Sequence, residues 1–417
     1  MPSAGSAGRT DETPRLTERH VLALGLGVSG MFVVVALVVA LATVAGGGSS
    51  WAALHLALAG AATVAIGTFM PHFAVTLAGT RPAPAFQRLV AIGLLAAGGA
   101  AVVVGVTAFG ATLAVVGAAA QLVALAIVGW HTISPTRDPL ARRHHVVAFA
   151  YVIALIELAA GVALGASALG VPAIVGAWAV LRPAHAWLTL FGAVSLTIFS
   201  TLVYLGPTVL GARIRASAPL FIGLAGMVVG PPLAALGFAL VSLPVAVAGV
   251  LVTAIGGIGQ VGLVLEARSR RGRYTSEHDW RRVAVGHLLA GTGWFVVAVV
   301  AAAVALLLGA PLRGWSLGVL AVPMVAGWML QELTGSWTHL LPSVTPGDAP
   351  SHARQRRILA VASRARLAAW NVGVAALWLG LGLELRIFAA AGVMLLAASV
   401  GASLVLLGRA LVARGGR

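Results

Sequence analysis

Cysteine and lysine are both absent from this chain of 417 residues. Without cysteine there are no disulfides, iron–sulfur clusters or thiolate metal sites, so a bound metal or haem must take histidine, methionine or oxygen ligands. Charged residues make up only 9% of the chain, and its net charge of +16 comes from arginine alone. The arginines lie in short connections rather than in a patch with interleaved aromatic residues, which argues against nucleic acid as a partner.

Apolar residues dominate instead, at 60% of the chain, and the mean hydropathy is +1.01. This composition is typical of membrane proteins and predicts a lipid bilayer as the main surrounding. Twelve segments are apolar and long enough to cross it, near residues 20–45, 51–78, 86–108, 112–132, 145–168, 184–211, 217–241, 243–265, 284–308, 316–341, 361–381 and 387–408. We therefore predict an all-α polytopic membrane protein with about twelve transmembrane helices.

Arginines concentrate in the N-terminal tail, in the connection after every even-numbered segment and at the C-terminus. The positive-inside rule then predicts that residues 1–19 and 409–417 are cytoplasmic tails. The polar, mixed-charge start of the chain does not resemble a cleaved signal.

A repeat is indicated by the starts of the second, sixth and tenth segments. His55, His185 and Trp315 stand there, evenly spaced along the chain. We predict a single membrane domain of three four-helix units, at about 20–134, 144–266 and 284–408, related by a pseudo-threefold operation. The one sizeable external connection, Ala166–Pro183, is expected to be either a short cap over the outer face or a plain loop.

Ionisable side chains inside the membrane are the candidates for chemistry, because they are costly there. His55 and His185 form an outer layer, where two neutral imidazoles from different helices suit haem iron or copper. The alternative is that each hydrogen-bonds a loop carbonyl in the interfacial zone. Glu157 and Glu332 are candidates for proton transfer, or else are neutral acids that hydrogen-bond a neighbouring hydroxyl.

The inner layer contains His72, a further candidate metal ligand. It lies roughly 26 Å along the same helix from His55, so the two cannot share an ion. His339 is placed in the inner layer with His72. The other inner histidines adjoin TRDPLARR and are expected to be solvated at the cytoplasmic rim; they are His131, His144 and His145.

The helix count and the histidines together resemble the haem-copper oxidase subunit I superfamily. More closely, HLALAGAATVAIGTFMPHF and HAWLTLFGAVSLTIFSTLVYLGPTVLGARI look like the membrane domain associated with copper nitrite reductase and multicopper oxidase proteins. Similar H-x-x-L openings occur in the NnrS family of nitric-oxide-stress proteins. The resemblance implies haem b or copper at His55 and His185, and electron transport connected with denitrification.

The chain departs from the oxidases at two places. Its seventh segment has no histidine pair for copper, and Trp315 stands where the tenth helix of an oxidase carries haem ligands. A complete binuclear centre for oxygen reduction is therefore not expected.

Three functions follow from these observations. The first is a redox protein that passes electrons between quinol and an external copper protein or a nitrogen oxide. The second is a proton-coupled transporter of a small solute that uses Glu157 and Glu332. The third is a cofactor-free anchor or assembly partner.

The arginine pattern makes a direct prediction about topology. Reporter domains fused at Gly347, in the last long arginine-rich connection, and at Gly415, near the C-terminus, should both report the cytoplasm. An external signal from either fusion would contradict the predicted number of crossings.

Overall fold

A computed structural model describes residues 17–137, 145–213, 217–270, 279–313, 318–345 and 347–413. Thirteen helices and no strands occur in these residues, and eleven of the helices are long and apolar enough to cross a membrane. The chain is an all-α polytopic membrane protein, as its composition predicts.

The first unit contains four helices: α1 Glu18–Val44, α2 Ser50–Ala78, α3 Ala85–Phe109 and α4 Ala111–Arg137. The second also contains four: α5 His145–Ser167, α6 Pro172–Leu210, α7 Ala218–Ala239 and α8 Leu243–Ser269. The third has a short extra helix, α11, before its last pair: α9 Asp279–Leu307, α10 over residues 318–344, α11 Ala349–Ala360, α12 Ser363–Gly382 and α13 Arg386–Val412.

Helix α10 corresponds to the tenth predicted span and is not among the eleven apolar helices. Its second half carries Gln331 and Glu332 together with threonines, two serines and a histidine. Both named side chains are buried within the protein, so this helix is shielded from lipid by its neighbours. Trp315, the third repeat marker, lies outside the described residues.

The second helix of each unit contains a π-helical segment, at Leu56–Ala62 in α2, Trp187–Val194 in α6 and Val322–Met329 in α10. The two intervals between the ends of these segments are unequal, and both are slightly longer than the uniform spacing predicted above. When the segment ends are aligned, the counterpart of His55 is Trp187 rather than His185. The two histidines thus occupy nearby, but not identical, repeat positions.

A cavity of about 80 Å³ lies among α2, α6 and α10. Every lining position has a counterpart in the other two helices when the π-helical segments are aligned by their ends. This alignment gives six triplets: Ala62/Val194/Met329, Ala65/Thr197/Glu332, Ile66/Ile198/Leu333, Phe69/Thr201/Ser336, Met70/Leu202/Trp337 and Phe73/Leu205/Leu340. The three helices therefore surround this cavity in equivalent orientations, as a pseudo-threefold axis through it requires.

The other helices follow the same symmetry. The third and fourth helices of each unit pack along one another, and the last helix of each unit contacts the first helix of the next, with α13 closing the ring on α1. Small residues permit this close approach. A Cβ built on Gly98 would lie 2.6 Å from the carbonyl oxygen of Gly117, and one on Gly380 would lie 2.3 Å from the backbone nitrogen of Ala389.

The external connection predicted over Ala166–Pro183 is mostly helical. Helix α5 ends at Ser167, and α6 begins at Pro172 and continues without a break for 39 residues. At 1.5 Å per residue α6 is about 58 Å long, which exceeds the thickness of a bilayer. Its length therefore exceeds what a single crossing of the bilayer requires.

Each π-helical segment has a glycine at the same repeat position: Gly60, Gly192 and Gly327. A side chain from the first helix of the unit lies against each glycine; it is Phe32, Glu157 and Trp294 in turn. A Cβ on Gly60 would lie only 2.2 Å from the ring of Phe32. The first two helices of each unit thus approach one another most closely at the π-helical turn.

We predict that Gly60→Ala lowers the melting temperature of the detergent-purified protein, because the ring of Phe32 must move; such overpacking costs about 1–3 kcal/mol. The matched control is Gly30→Ala on α1, where no atom lies within 4 Å of the added Cβ. The control should leave the melting temperature unchanged or raise it. Equal effects of the two substitutions would contradict the close contact.

Candidate functional site

The structure brings His55 and His185 together at one end of the bundle, called here the histidine end. His55 is the last residue before the π-helical segment of α2, and His185 lies two residues before that of α6. Their ring centroids are 6.5 Å apart, and their planes differ by 10°. The two nearly parallel rings therefore stack across a narrow gap between helices of different units.

Both imidazoles are held by backbone carbonyls. Nδ1 of His55 lies 2.9 Å from the carbonyl oxygen of Trp51, and Nδ1 of His185 lies 2.8 Å from that of Gly161 on α5. A carbonyl oxygen only accepts hydrogen bonds, so each Nδ1 carries the proton and donates it. Nε2 of each neutral ring consequently has a free lone pair.

Aromatic rings flank the pair. The indole of Trp51 stacks on His55 at a centroid distance of 4.0 Å, and Trp178 lies 5.7 Å from His185. Both tryptophans are partly buried, as are both histidines. The pair is thus held in a mainly aromatic, partly shielded setting.

One face of α5 is shaped to receive this part of α6. Gly165, Gly161 and Glu157 recur at every fourth position, which places them on one helix face. A Cβ on Gly165 would lie 3.0 Å from Cε1 of His185, and one on Gly161 would lie 2.2 Å from Cγ2 of Thr189. The two glycines leave room for the imidazole and bring the Gly161 carbonyl within reach of it.

Glu157 follows on the same face, deeper in the bundle. Its side chain is 4% exposed, and neither carboxyl oxygen has a hydrogen-bond partner among the described residues. Oε2 lies 2.4 Å from the position of a Cβ on Gly192. Units one and three place an aromatic ring at this contact, whereas unit two places a carboxyl group.

Glu332 is the second buried acid and lines the central cavity. Oε1 is 3.4 Å from the hydroxyl of Thr292 and lies against Gly291, while Oε2 has no partner among the described residues. Glu157 does not line this cavity and lies against Gly192, so the two acids have separate surroundings.

His72 lies at the opposite end of α2, called here the arginine end. Its Nδ1 is 3.0 Å from Oε1 of Glu18, whose other oxygen accepts from Arg88. His72 is thus part of a charged cluster away from the histidine pair. Within the described residues no three His, Asp or Glu side chains come together as a metal site.

The other inner histidines have separate surroundings. Nε2 of His131 lies 3.1 Å from Oε1 of Gln87, His145 is exposed at the start of α5, and His339 stacks on Trp280 at a centroid distance of 5.8 Å. His144 lies outside the described residues. None of the three described side chains joins the histidine pair.

The sequence pointed to the two histidines and the two acids, but not to the groups that position them. Gly161 acts through its backbone carbonyl, which every residue type has, so the sequence does not reveal this role. Trp51 does carry a signal, since it stands one helical turn before His55 and shares its helix face.

Compared with known proteins, the chain matches no family model and no curated sequence.

The carbonyl contacts predict an uncommon tautomer. In the metal-free protein, ¹⁵N NMR of labelled histidine should show His55 and His185 as neutral rings protonated at Nδ1, with the signals assigned by loss in His55→Gln and His185→Gln. His145, exposed to water, serves as the reference. Protonation of either ring of the pair at Nε2 would contradict the described hydrogen bonds.

Proposed function

We propose that the protein is a membrane redox protein related to haem-copper oxidase subunit I, which binds copper or haem b between His55 and His185. The observation that carries this proposal is the pair of facing imidazoles whose Nδ1 atoms are both engaged by carbonyls. Metal-binding histidines usually donate their second ring nitrogen in this way, since the donation fixes the ring and raises the basicity of the ligating nitrogen. Nε2 is then the ligand on both sides of the gap.

The separation of the two ring centroids is compatible with one metal bound to a nitrogen of each ring. Imidazole nitrogens bind metals at about 2 Å, and the ring centroid lies about 1.2 Å behind the nitrogen, so two opposed imidazoles have centroids about 6.4 Å apart. The observed separation is 6.5 Å. Two nitrogen ligands suit a low-coordinate copper ion or the two axial positions of haem.

Copper fits the surroundings better than haem. An ion needs no space beyond the gap, whereas a porphyrin must extend several ångströms sideways from it. Trp51 stacks 4.0 Å from His55 and occupies part of that region. Bound copper supplies one-electron transfer by alternating between Cu(I) and Cu(II).

The residues of this chain would then have distinct roles. His55 and His185 bind the ion, the Gly161 and Trp51 carbonyls orient the rings, and Glu157 holds a proton on the same helix face. Electron exchange with quinol and with an external copper protein or a nitrogen oxide is the role that the sequence resemblance supports.

The proposed location is the bacterial cytoplasmic membrane, with both termini in the cytoplasm. The alternation of arginine-rich connections supports this orientation. The histidine end then faces the external side, where a soluble copper protein could reach the pair.

A proton-coupled transporter is the second candidate, and the central cavity favours it. The carboxyl of Glu332 faces this cavity, at mid-length of three central helices. With a volume of about 80 Å³, the cavity is smaller than the roughly 150 Å³ that holds benzene in an engineered protein. A transported solute would therefore be no larger than a few atoms unless the helices separate.

Metal analysis and absorption spectra test the first proposal. Protein purified from copper-replete and haem-replete cells should contain close to one copper or one haem b per chain. Either His55→Ala or His185→Ala should lower that content at least tenfold, because a single imidazole retains half of the ligand set. His145→Ala is the matched control and should retain the wild-type content.

Folding of each variant is checked separately by its elution volume and helical circular dichroism. Wild-type protein that carries neither copper nor haem under replete conditions would overturn the redox proposal. Equal loss in the His145→Ala control would show a general effect on folding rather than removal of a ligand.

A further inference from the structure

The central cavity contains polar groups that the redox proposal does not use. Its six positions on α2 are all apolar, whereas α6 and α10 contribute Thr197, Thr201, Glu332, Ser336 and Trp337. Among the six equivalent triplets, Ala65/Thr197/Glu332 shows the largest difference in side-chain polarity between the units. The polar groups therefore line one side of an otherwise apolar chamber.

Three polar atoms of this lining have no partner among the described residues: Oγ1 of Thr197, Oε2 of Glu332 and Nε1 of Trp337. Their side chains are 8%, 2% and 3% exposed. A buried polar atom without a hydrogen bond destabilises a protein, by roughly 1–3 kcal/mol in mutational data. Together they provide a donor and acceptors, which is the arrangement that water satisfies.

The cavity volume agrees with this occupant. A water needs about 10–15 Å³ of such volume, so the observed 80 Å³ admits roughly five or more. A bare metal ion is a poorer occupant, because the indole N–H of Trp337 is a donor and cannot coordinate a cation.

We infer that the central cavity is a hydrated site in which the carboxyl group of Glu332 exchanges its proton with cavity water. Thr197 and Trp337 line the same site and hold this water. The site is independent of the histidine pair and does not depend on a bound metal.

The surroundings of Glu332 favour the neutral acid. The hydroxyl of Thr292 donates to the carbonyl of Leu288 at 2.9 Å, and its contact with Oε1 of Glu332, at 3.4 Å, is the longer and weaker one. A charged carboxylate at this depth would be costly. The acid proton then has its acceptor in cavity water.

Glu157 provides a natural control within the same protein. It is also a buried acid on a membrane helix, and both of its oxygens are unpartnered among the described residues. It does not line the central cavity but lies against the π-helical turn at Gly192. Glu332 should therefore exchange with solvent far faster than Glu157.

Infrared spectroscopy of the protein transferred into D₂O tests this difference. The carboxylic C=O band that disappears in Glu332→Gln should shift at least tenfold faster than the band that disappears in Glu157→Gln. Equal exchange rates would overturn the inference. An ionised Glu332, whose carboxylate band responds to added sodium, would also overturn it and would indicate a cation site.

A second variant keeps Glu332 in place in case its replacement prevents folding. Ala65→Leu fills the cavity from the apolar side and displaces water. It should slow deuteration of the Glu332 band at least tenfold without changing the Glu157 band. Unchanged exchange at Glu332 in a folded Ala65→Leu protein would show that its proton does not pass through cavity water.

Discussion

The structure depends on the close approach of two helices within each unit at one glycine. Gly60, Gly192 and Gly327 lie inside the three π-helical segments, and each receives a side chain from the first helix of its unit. A π-helical turn contains more residues than an α-helical turn, so it changes the direction of the side chains that follow it. As a result, six equivalent positions on each central helix line the common cavity.

The three units share this backbone arrangement but carry different side chains at equivalent positions. At the glycine contact the first and third units place Phe32 and Trp294, while the second places Glu157. At the cavity the first unit places apolar side chains, and Glu332 comes from the third. Packing alone explains the aromatic contacts. The carboxyl groups have no packing advantage over apolar side chains, and polar groups in a membrane interior usually have a function.

The sequence was sufficient for the fold class because a bilayer demands long apolar helices, and these are visible in composition alone. It also placed His55 and His185 at one end, since both stand at the start of second helices. The spacing of His55, His185 and Trp315 differs by a few residues from that of the π-helical segments, and the sequence alone does not reveal this difference. The carbonyl of Gly161 and the shared cavity could not be predicted, since both depend on the packing of separate helices.

The histidine pair and Glu157 are close enough to influence one another electrostatically. Gly165, which borders His185, and Glu157 lie two turns apart on α5, or about 12 Å along the helix. With an effective dielectric constant of about 20, two unit charges at that distance interact by about 1.4 kcal/mol, which is a tenfold change in an equilibrium constant. A change of one unit charge at the pair would therefore change the proton affinity of Glu157 about tenfold. The carboxyl group on this face, where the other units have aromatic rings, is thus the feature of the second unit that packing does not explain.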